Sequence, residues 1–314
     1  MNNFITLFNY NFLPQGLAMI NSLKKNSECF ISIVCLDDEV FNFLQKKDFD
    51  FVELIKVKDL EKIMKYDYRN QRSFIEYCWM LTPFLFKFIF ERDRNIKQLT
   101  YVDADVFFFK SLNPILEEFK LSNKDIYITE HGYHKNHDKT DKSGKFCVQF
   151  LTFKNNNEAE KVRNEWEQKC IESTAIDYKK NIVGDQKYFD DLYSKYSKNF
   201  CVSKNLNFYQ APWTLNRFKP EEAILFHFHS LRIEKKRIRL FSYYDLEENI
   251  ITKIYFPYLK VLKKILEENN LYLDQTALGE KPNIMSKLKN VFHEILYRFN
   301  KKKKFNTYLD LNRI

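Results

Sequence analysis

Glycine and proline are scarce in this sequence, which has 5 Gly and 7 Pro among 314 residues. Fibrous chains and flexible low-complexity segments need far more of both. Hydrophobic residues make up 45% of the chain and aromatic residues 17%. The composition is therefore that of an ordered globular protein, and the length fits one large domain or a domain with an appendage.

Paired cysteines, a leader segment and a membrane-spanning run are also missing from the sequence. The six cysteines are scattered, without a C-x-x-C pair or a histidine at zinc-finger spacing, which predicts reduced thiols. The first residues, MNNFITLF, lack the basic segment and long apolar core of a signal peptide. No apolar run approaches the ~18–20 residues needed to cross a bilayer. We therefore expect a cytoplasmic protein.

Strand-like and helix-like segments alternate from the N-terminus. Residues 4–10 (FITLFNY) and 29–36 (CFISIVCL) are predicted strands, and residues 13–26 between them have the apolar spacing of a helix. Residues 75–93 are also predicted to be helical, with an interruption near Pro83 because proline cannot donate a backbone hydrogen bond. This order predicts an α/β fold with a mainly parallel sheet flanked by helices.

The turn after the first predicted strand, FNYNFLPQG, contains neither G-x-G-x-x-G nor G-x-x-x-x-G-K-[ST]. Ligands of open parallel sheets bind outside the carboxyl ends of the strands, where such glycine-rich loops would cradle phosphates. A dinucleotide fingerprint and a P-loop are therefore excluded, and any nucleotide has to be held in another way.

Two carboxylates stand at the end of a predicted strand in the segment YVDADVFFF. If the chain is extended there, Asp103 and Asp105 share one face, with the small Ala104 between them. Like charges at this separation repel each other unless a cation lies between them. The pair is therefore either a turn with solvated or backbone-capping carboxylates, or a divalent-metal site.

Three later segments bear on that choice. ILFHFHSLRIEKK is predicted as a strand that places His227 and His229 on one face, followed by basic residues. VGDQKYFDDL places Asp185 and Gln186 after a glycine at the start of a helix, where the carboxylate could equally be a cap. KFCVQFLTFKNN is predicted as a strand that reaches a polar turn.

In this order the segments resemble those of a GT-A fold, nucleotide-sugar-dependent glycosyltransferase of the family 8 type, close to bacterial enzymes of lipopolysaccharide, lipooligosaccharide or capsule assembly. YVDADVFFF is similar to the family's metal-binding D-x-D strand, VGDQKYFDD to its D-Q segment, and FHFHS to its late histidine motif, H-F-x-G. The resemblance covers residues 4–240. It implies a Rossmann-like, mixed but mainly parallel sheet.

The resemblance implies a metal site on the diphosphate of a UDP-sugar donor. Asp103 and Asp105, with His227 or His229, would hold Mn²⁺ or Mg²⁺, and mixed carboxylate and imidazole ligands favour Mn²⁺. Aligning H-F-x-G with HFHS favours His227 as the ligand.

The resemblance also implies residues for the donor sugar and the nucleotide. Asp185 and Gln186 would be the catalytic pair lining the donor sugar. Arg232 and Lys235 are assigned to the phosphates by their charge, because the family's K-P-W motif is replaced by LRIEKKR. The remaining donor-binding residues would be Thr6, Phe8, Asn9, Tyr10, Asp103, Ala104 and Asp105.

The sequence departs from the family on the acceptor side. CVQF, with Gln149 as its only polar residue, replaces an asparagine-serine-glycine turn that often faces the acceptor, and Ser230 replaces the glycine of H-F-x-G. Trp213 either forms part of the acceptor wall or is core. We expect residues 130–145, which contain three histidines, to form a mobile acceptor loop or lid. The three-residue spacing of His131, His134 and His137 would make a metal site only on a helix.

The last part of the sequence reads as a helical element. Residues 256–270 are a predicted helix, and so are residues 283–304, with an apolar stripe edged by lysines. We therefore expect a catalytic domain, residues 1–254, and a C-terminal helical basic appendage, residues 255–314.

Most of the net charge lies in that appendage. Residues 281–314 contain nine Lys or Arg and two acidic residues, so they carry +7 of the net charge of +9. A basic amphipathic helix either lies on an anionic membrane surface or packs on the domain with its lysines in solvent. A lipid-linked acceptor favours the first, at the inner face of the cytoplasmic membrane.

Three other functions compete with glycosyl transfer. A sugar-phosphate nucleotidyltransferase would be expected to carry a G-x-G-x-R-type loop near the first strand. A nucleic-acid-binding protein needs no carboxylate pair. A non-catalytic nucleotide-sugar or glycan-binding protein would not need Asp103, Asp105, Asp185 and His227 to be all intact. We therefore expect a metal-dependent hexosyl- or N-acetylhexosaminyltransferase that moves a sugar from a UDP-sugar to a hydroxyl of a bacterial surface glycan, with retention.

Overall fold

Two units make up the chain, Met1–His227 and Phe228–Ile314, as judged from its internal contacts. The computed structural model describes residues 1–64, 68–234, 237–240, 246–275 and 308–310. None of the helices in these ranges is both long and apolar enough to cross a membrane. The division predicted at residues 254 and 255 stays a prediction.

The first unit alternates strands and helices. Its strands are β1 (Asn2–Phe8), β2 (Cys29–Cys35), β3 (Val52–Lys56), β4 (Gln98–Val102), β5 (Val106–Phe108), β6 (Ile126–Glu130), β7 (Phe146–Lys154), β8 (Ile176–Asp177), β9 (Ile182–Val183), β10 (Phe200–Val202), β11 (Tyr209–Gln210) and β12 (Leu225–His227). Its helices are α1 (Leu13–Asn26), α2 (Asp38–Gln45), α3 (Val57–Glu61), α4 (Phe74–Arg92), α5 (Asn113–Ser122), α6 (Thr140–Ser143), α7 (Asn157–Glu172) and α8 (Tyr188–Tyr196).

Seven of these strands form one sheet in the order β3-β2-β1-β4-β7-β6-β10. All neighbours are parallel except β7, which runs antiparallel to β4 and β6. The core joins this sheet to α4, α7 and α8, with Trp166 fully buried among them. The predicted mixed, mainly parallel sheet with flanking helices is confirmed.

Helix α4 continues through Pro83, so the predicted interruption is wrong. Proline removes one backbone hydrogen bond, at a cost of about 3 kcal/mol in a helix interior. The neighbouring Thr82 donates its hydroxyl to the carbonyl of Cys78. Most residues from Met80 to Phe90 are buried, and the burial of large apolar side chains compensates for the lost bond.

The segment YVDADVFFF forms two short strands and not one. Strand β4 ends at Val102, and the backbone turns there, with the amide of Val106 donating to the carbonyl of Asp103 at 3.2 Å. Strand β5 follows and pairs antiparallel with β12, which also pairs with β11. This small three-stranded sheet carries the late histidine segment back to the two aspartates.

The late histidine segment is shorter than predicted. Strand β12 ends at His227, and Ser230 adopts a positive φ of 64°. A strand cannot continue through that conformation, so the prediction that His227 and His229 share one face of a strand is wrong.

The second unit contains three strands and two helices among its described residues. They are β13 (Arg232–Glu234), β14 (Arg237–Arg239), β15 (Tyr308–Asp310), α9 (Glu248–Ile250) and α10 (Phe256–Glu268). A π-helical turn, Ile251–Tyr255, connects the two helices. Helix α10 confirms the helix predicted over residues 256–270, whereas the one predicted over residues 283–304 lies outside the described residues.

Candidate functional site

Strands β1 and β4 bring two of the predicted segments to one edge of the sheet. They are parallel neighbours, with Ile5 in register with Tyr101. The turn after Phe8 and the turn after Val102 therefore lie side by side at the carboxyl edge. This is the edge at which ligands of parallel sheets bind.

Asp103, Asp105 and His227 form the centre of the site. Strand β12 pairs His227 with Val106, the residue next to Asp105. The imidazole Nε2 lies 3.0 Å from Asp105 Oδ1 and 3.7 Å from Asp103 Oδ2. One ligand atom from each of the three residues lies within 4.8 Å of the others. The sequence-predicted set thus converges in space.

Neighbouring residues hold this cluster in place. The Tyr101 hydroxyl donates to Asp103 Oδ1 at 2.6 Å. Gln149 on β7 accepts the Asp103 amide with its backbone carbonyl, at 3.1 Å, and its side-chain Oε1 lies 2.9 Å from His227 Nδ1. The Trp213 and His227 rings are nearly perpendicular, with their centroids 5.4 Å apart. Sequence reasoning missed Gln149, which it placed towards the acceptor.

The electrostatics of the cluster favour a bound cation. Enclosure raises the pKa of Asp103, and repulsion from Asp105 adds to the rise although His227 opposes it. Burial acts against the imidazolium, but the Asp105 carboxylate outweighs it and raises the pKa of His227 well above its usual value. The carboxylates therefore stabilise positive charge at the imidazole, and a metal ion would take the place of the Nε2 proton. Two carboxylates and one imidazole are a donor set that suits Mn²⁺ or a similar divalent ion, so the residues fit the implied metal.

Asp185 and Gln186 lie in the turn between β9 and α8. The Asp185 side chain is buried, and its backbone carbonyl accepts a hydrogen bond from the Trp166 indole at 2.9 Å. Burial raises the pKa of Asp185 to about 8, and the charge of Asp103 adds to the rise. Gln186 donates from Nε2 to the carbonyl of Ser143 at 3.3 Å. Asp185 is thus electrostatically coupled to the cation cluster and is not the cap of α8.

The residues predicted to hold the nucleotide differ in their surroundings. Among the described residues, buried Thr6 Oγ1 and Asn9 Oδ1 have no hydrogen-bond partner. Tyr10 donates its amide to Asp37 Oδ2 at 2.9 Å. Phe8 is core, because its ring lies so close to Gly16 that a Cβ there would come within 2.6 Å of Cζ. The unpaired oxygens at the end of β1 are suited to a polar ligand.

The predicted acceptor loop, residues 130–145, accepts hydrogen bonds from two other segments of the first unit, the turn before α8 and the segment that contains Trp213. Buried Lys187 donates to the carbonyls of Thr140 and Asp141, and the Trp213 indole donates to the carbonyl of His131 at 2.8 Å. Its centre forms a short 3-10 turn, Lys135–His137, and not an α-helix, so the condition for a three-histidine metal site is not met. Its predicted mobility stays a prediction.

Three predicted ligands are not part of the first unit. His229 and Arg232 belong to the second unit. Lys235 lies outside the described residues. Their roles stay predictions.

A parallel sheet with one reversed strand, and a D-x-D turn at its carboxyl edge, define the GT-A class of nucleotide-sugar transferases. The model of the family described as nucleotide-diphospho-sugar transferase matches residues 30–231 of this chain. The chain belongs to that family and is therefore a nucleotide-sugar-dependent glycosyltransferase.

Known proteins resemble the chain over most of its length. The uncharacterized protein YfnD of Bacillus subtilis (strain 168) is 26% identical over 290 residues, which cover 85% of this chain and 90% of YfnD. Mouse xyloside xylosyltransferase 1 aligns with 73% of this chain and 98% of its own, with a TM-score of 0.50 and 12% identity. The bifunctional glycosyltransferase WbbM aligns over 85% of this chain but only 51% of its own, with a TM-score of 0.55 and 12% identity. These two structures share the fold.

Proposed function

We propose that the protein transfers a sugar from a UDP-sugar to a hydroxyl of a surface glycan or lipid-linked saccharide, with Mn²⁺ held by Asp103, Asp105 and His227. The observation that carries the proposal is the convergence of these three side chains, within 4.8 Å, at the carboxyl edge of the sheet. A divalent cation bound there supplies positive charge that stabilises the diphosphate leaving group. Family membership favours transfer over the nucleotidyltransferase alternative.

The protein's own residues bind and orient the donor in this proposal. Thr6 Oγ1 and Asn9 Oδ1 gain partners from the nucleoside, which satisfies two buried polar atoms that have none among the described residues. Burial raises the pKa of Asp185, and its carboxyl accepts hydrogen bonds from sugar hydroxyls and also donates one when it is protonated. Gln186, in the same turn, lines the donor sugar with its amide near the anomeric carbon.

Other parts of the proposal rest on the sequence. Arg232 and Lys235 contact the phosphates, and His229 is the alternative metal ligand. The basic tail associates with the inner face of the cytoplasmic membrane, near a lipid-linked acceptor. The hexosyl or N-acetylhexosaminyl group is transferred with retention of its anomeric configuration.

A donor screen tests the central claim. Nucleoside diphosphate release from a panel of UDP-, GDP- and ADP-sugars is measured with the full chain in the presence of Mn²⁺, Mg²⁺ or EDTA. We expect release from one or a few donors, abolished by EDTA and restored most fully by Mn²⁺. Release that EDTA leaves unchanged would contradict the metal site, and release from GDP- or ADP-sugars alone would contradict the nucleotide assignment.

A further inference from the structure

Gln149 joins the two chain segments that supply the cation cluster. It is 1% exposed on β7, next to β4 in the sheet. Its backbone carbonyl accepts the amide of Asp103, and its side-chain Oε1 lies 2.9 Å from His227 Nδ1. One residue therefore contacts both the D-x-D turn and the late histidine, which lie more than a hundred residues apart in the chain.

The side-chain contact determines which imidazole nitrogen faces the carboxylates. A carbonyl oxygen only accepts hydrogen bonds, so His227 Nδ1 has to carry a proton to bond with Oε1. The same contact fixes the ring so that Nε2 points to Asp105 Oδ1 at 3.0 Å. Without metal, Nε2 also carries a proton and donates it to Asp105. A bound metal ion would replace that proton, while Nδ1–H stays bonded to Gln149 Oε1 and leaves Nε2 as the ligand atom.

We propose that Gln149 is a positioning residue of the cation site, which sets the tautomer and the orientation of His227 through its amide oxygen. This inference rests on the proposed metal-dependent function. It assigns Gln149 to the metal side of the site, although the sequence pattern associates the CVQF turn with the acceptor. Removing the hydrogen-bond partner of the other ring nitrogen of a metal-bound histidine commonly lowers metal affinity by about 10–100-fold.

Manganese binding by the full chain, without donor or acceptor, tests the inference. Free Mn²⁺ is measured by its electron paramagnetic resonance signal in titrations of the wild type, Gln149→Leu, Gln149→Met and Gln149→Glu. We expect the Leu and Met variants, which lack the acceptor oxygen, to bind Mn²⁺ at least ~10-fold more weakly. Glu retains an acceptor at this position and adds a negative charge, so its affinity for Mn²⁺ should equal or exceed that of the wild type.

Thr152→Val is the matched control for general damage to β7. Thr152 is also buried on β7, but its hydroxyl bonds to Thr100 and not to the cluster. This variant should bind Mn²⁺ as the wild type does. If Gln149→Leu does not fold, Gln149→Met, closer in shape to glutamine, provides the same comparison.

A double-mutant cycle with His227 separates positioning from a direct role. In a His227→Ala background, Gln149→Leu should cause no further loss of Mn²⁺ affinity, because the residue through which it acts is gone. Additive losses would overturn the inference. Equal Mn²⁺ binding by the wild type and Gln149→Leu would overturn it while leaving the proposed function intact, whereas a wild type that binds no Mn²⁺ would refute both.

Discussion

The carboxyl edge of the sheet has two halves that differ in how fully their polar groups are paired. On the cation half, Asp103 bonds to Tyr101, and His227 contacts both Asp105 and Gln149. On the nucleotide half, Thr6 Oγ1 and Asn9 Oδ1 are buried without partners among the described residues. Buried polar groups are rarely left unpaired in proteins. The cation half is therefore organised in advance, and we expect the nucleotide half to be completed by its ligand.

The largest effect should come from removing one carboxylate of the cation half. We expect Asp103→Asn and Asp105→Asn each to lower metal-dependent turnover at least ~100-fold, because the leaving group loses its positive charge. Without metal, Asp103→Asn should melt at or above the wild type, since a like-charge repulsion is gone, whereas Asp105→Asn should melt lower, because buried His227 loses its closest charge partner. The rise in melting temperature that Mn²⁺ causes in the wild type should disappear.

Asp59→Asn is the control for this pair, because Asp59 is an exposed carboxylate paired with Lys62 on the surface. It should keep both the turnover and the Mn²⁺-induced rise in melting temperature. Wild-type turnover in either Asp103→Asn or Asp105→Asn would show that the cation half is not a metal site.

Asp185 should make stability depend on pH. Its folded pKa of about 8 lies above the unfolded value of ~4, so the unfolded state loses its proton first. The contribution of Asp185 to the free energy of unfolding is therefore fully present below pH ~4. It falls by a few kcal/mol as the pH rises to about 8. Asp185→Asn removes this dependence. Between pH 5 and pH 9 the variant should therefore become increasingly more stable to unfolding than the wild type.

Urea unfolding at several pH values measures that gain. Parallel stability curves for the wild type and Asp185→Asn would show that the Asp185 carboxyl ionises normally. Adding Mn²⁺ sharpens the experiment, because a cation beside Asp103 should reduce the repulsion on Asp185 and flatten the wild-type curve.

The smallest effect should come from the nucleotide half. Thr6→Val removes a hydroxyl that has no described partner, so the free energy of unfolding should stay the same or rise. The donor should lose one hydrogen bond, worth about 0.5–1.5 kcal/mol, which corresponds to a KM for the UDP-sugar raised roughly 2–12-fold.

Thr100→Val provides the opposite case. Its hydroxyl is paired with Thr152, so the substitution leaves a buried group unpaired and should cost about 1–3 kcal/mol of stability without changing the KM. Equal destabilisation by Thr6→Val and Thr100→Val would mean that the Thr6 hydroxyl already has a partner, and the contrast between the two halves would fail.

Local patterns in the sequence predict much of the fold and the chemistry of the centre. The predicted helix over residues 13–26 is α1, because its apolar spacing and its proline near the start are local signals. The order of motifs also predicted that Asp103, Asp105 and His227 would meet. The path of α4 through Pro83 could not be predicted, because burial by other elements outweighs the local preference of proline.

The role of Gln149 depends on strand pairing that no local pattern reveals. In the strand FCVQFLTFK, Gln149 has apolar neighbours on both sides. This pattern predicts that Gln149 is buried, but it does not predict which residue it contacts. Its contacts follow from the antiparallel pairing of β7 with β4 and from the return of β12 beside β5. A search for isolated polar residues in otherwise apolar strands near a D-x-D turn would have marked it as a candidate.

The return of β12 also determines when the site can form during synthesis. Asp103 and Asp105 leave the ribosome more than a hundred residues before His227, the last residue of the first unit. Until then the proposed metal site lacks His227, and long-range pairings of this kind close late in folding. Metal capture would thus report that the whole unit has been translated and folded, and a nascent chain stalled before β12 should remain unmetallated.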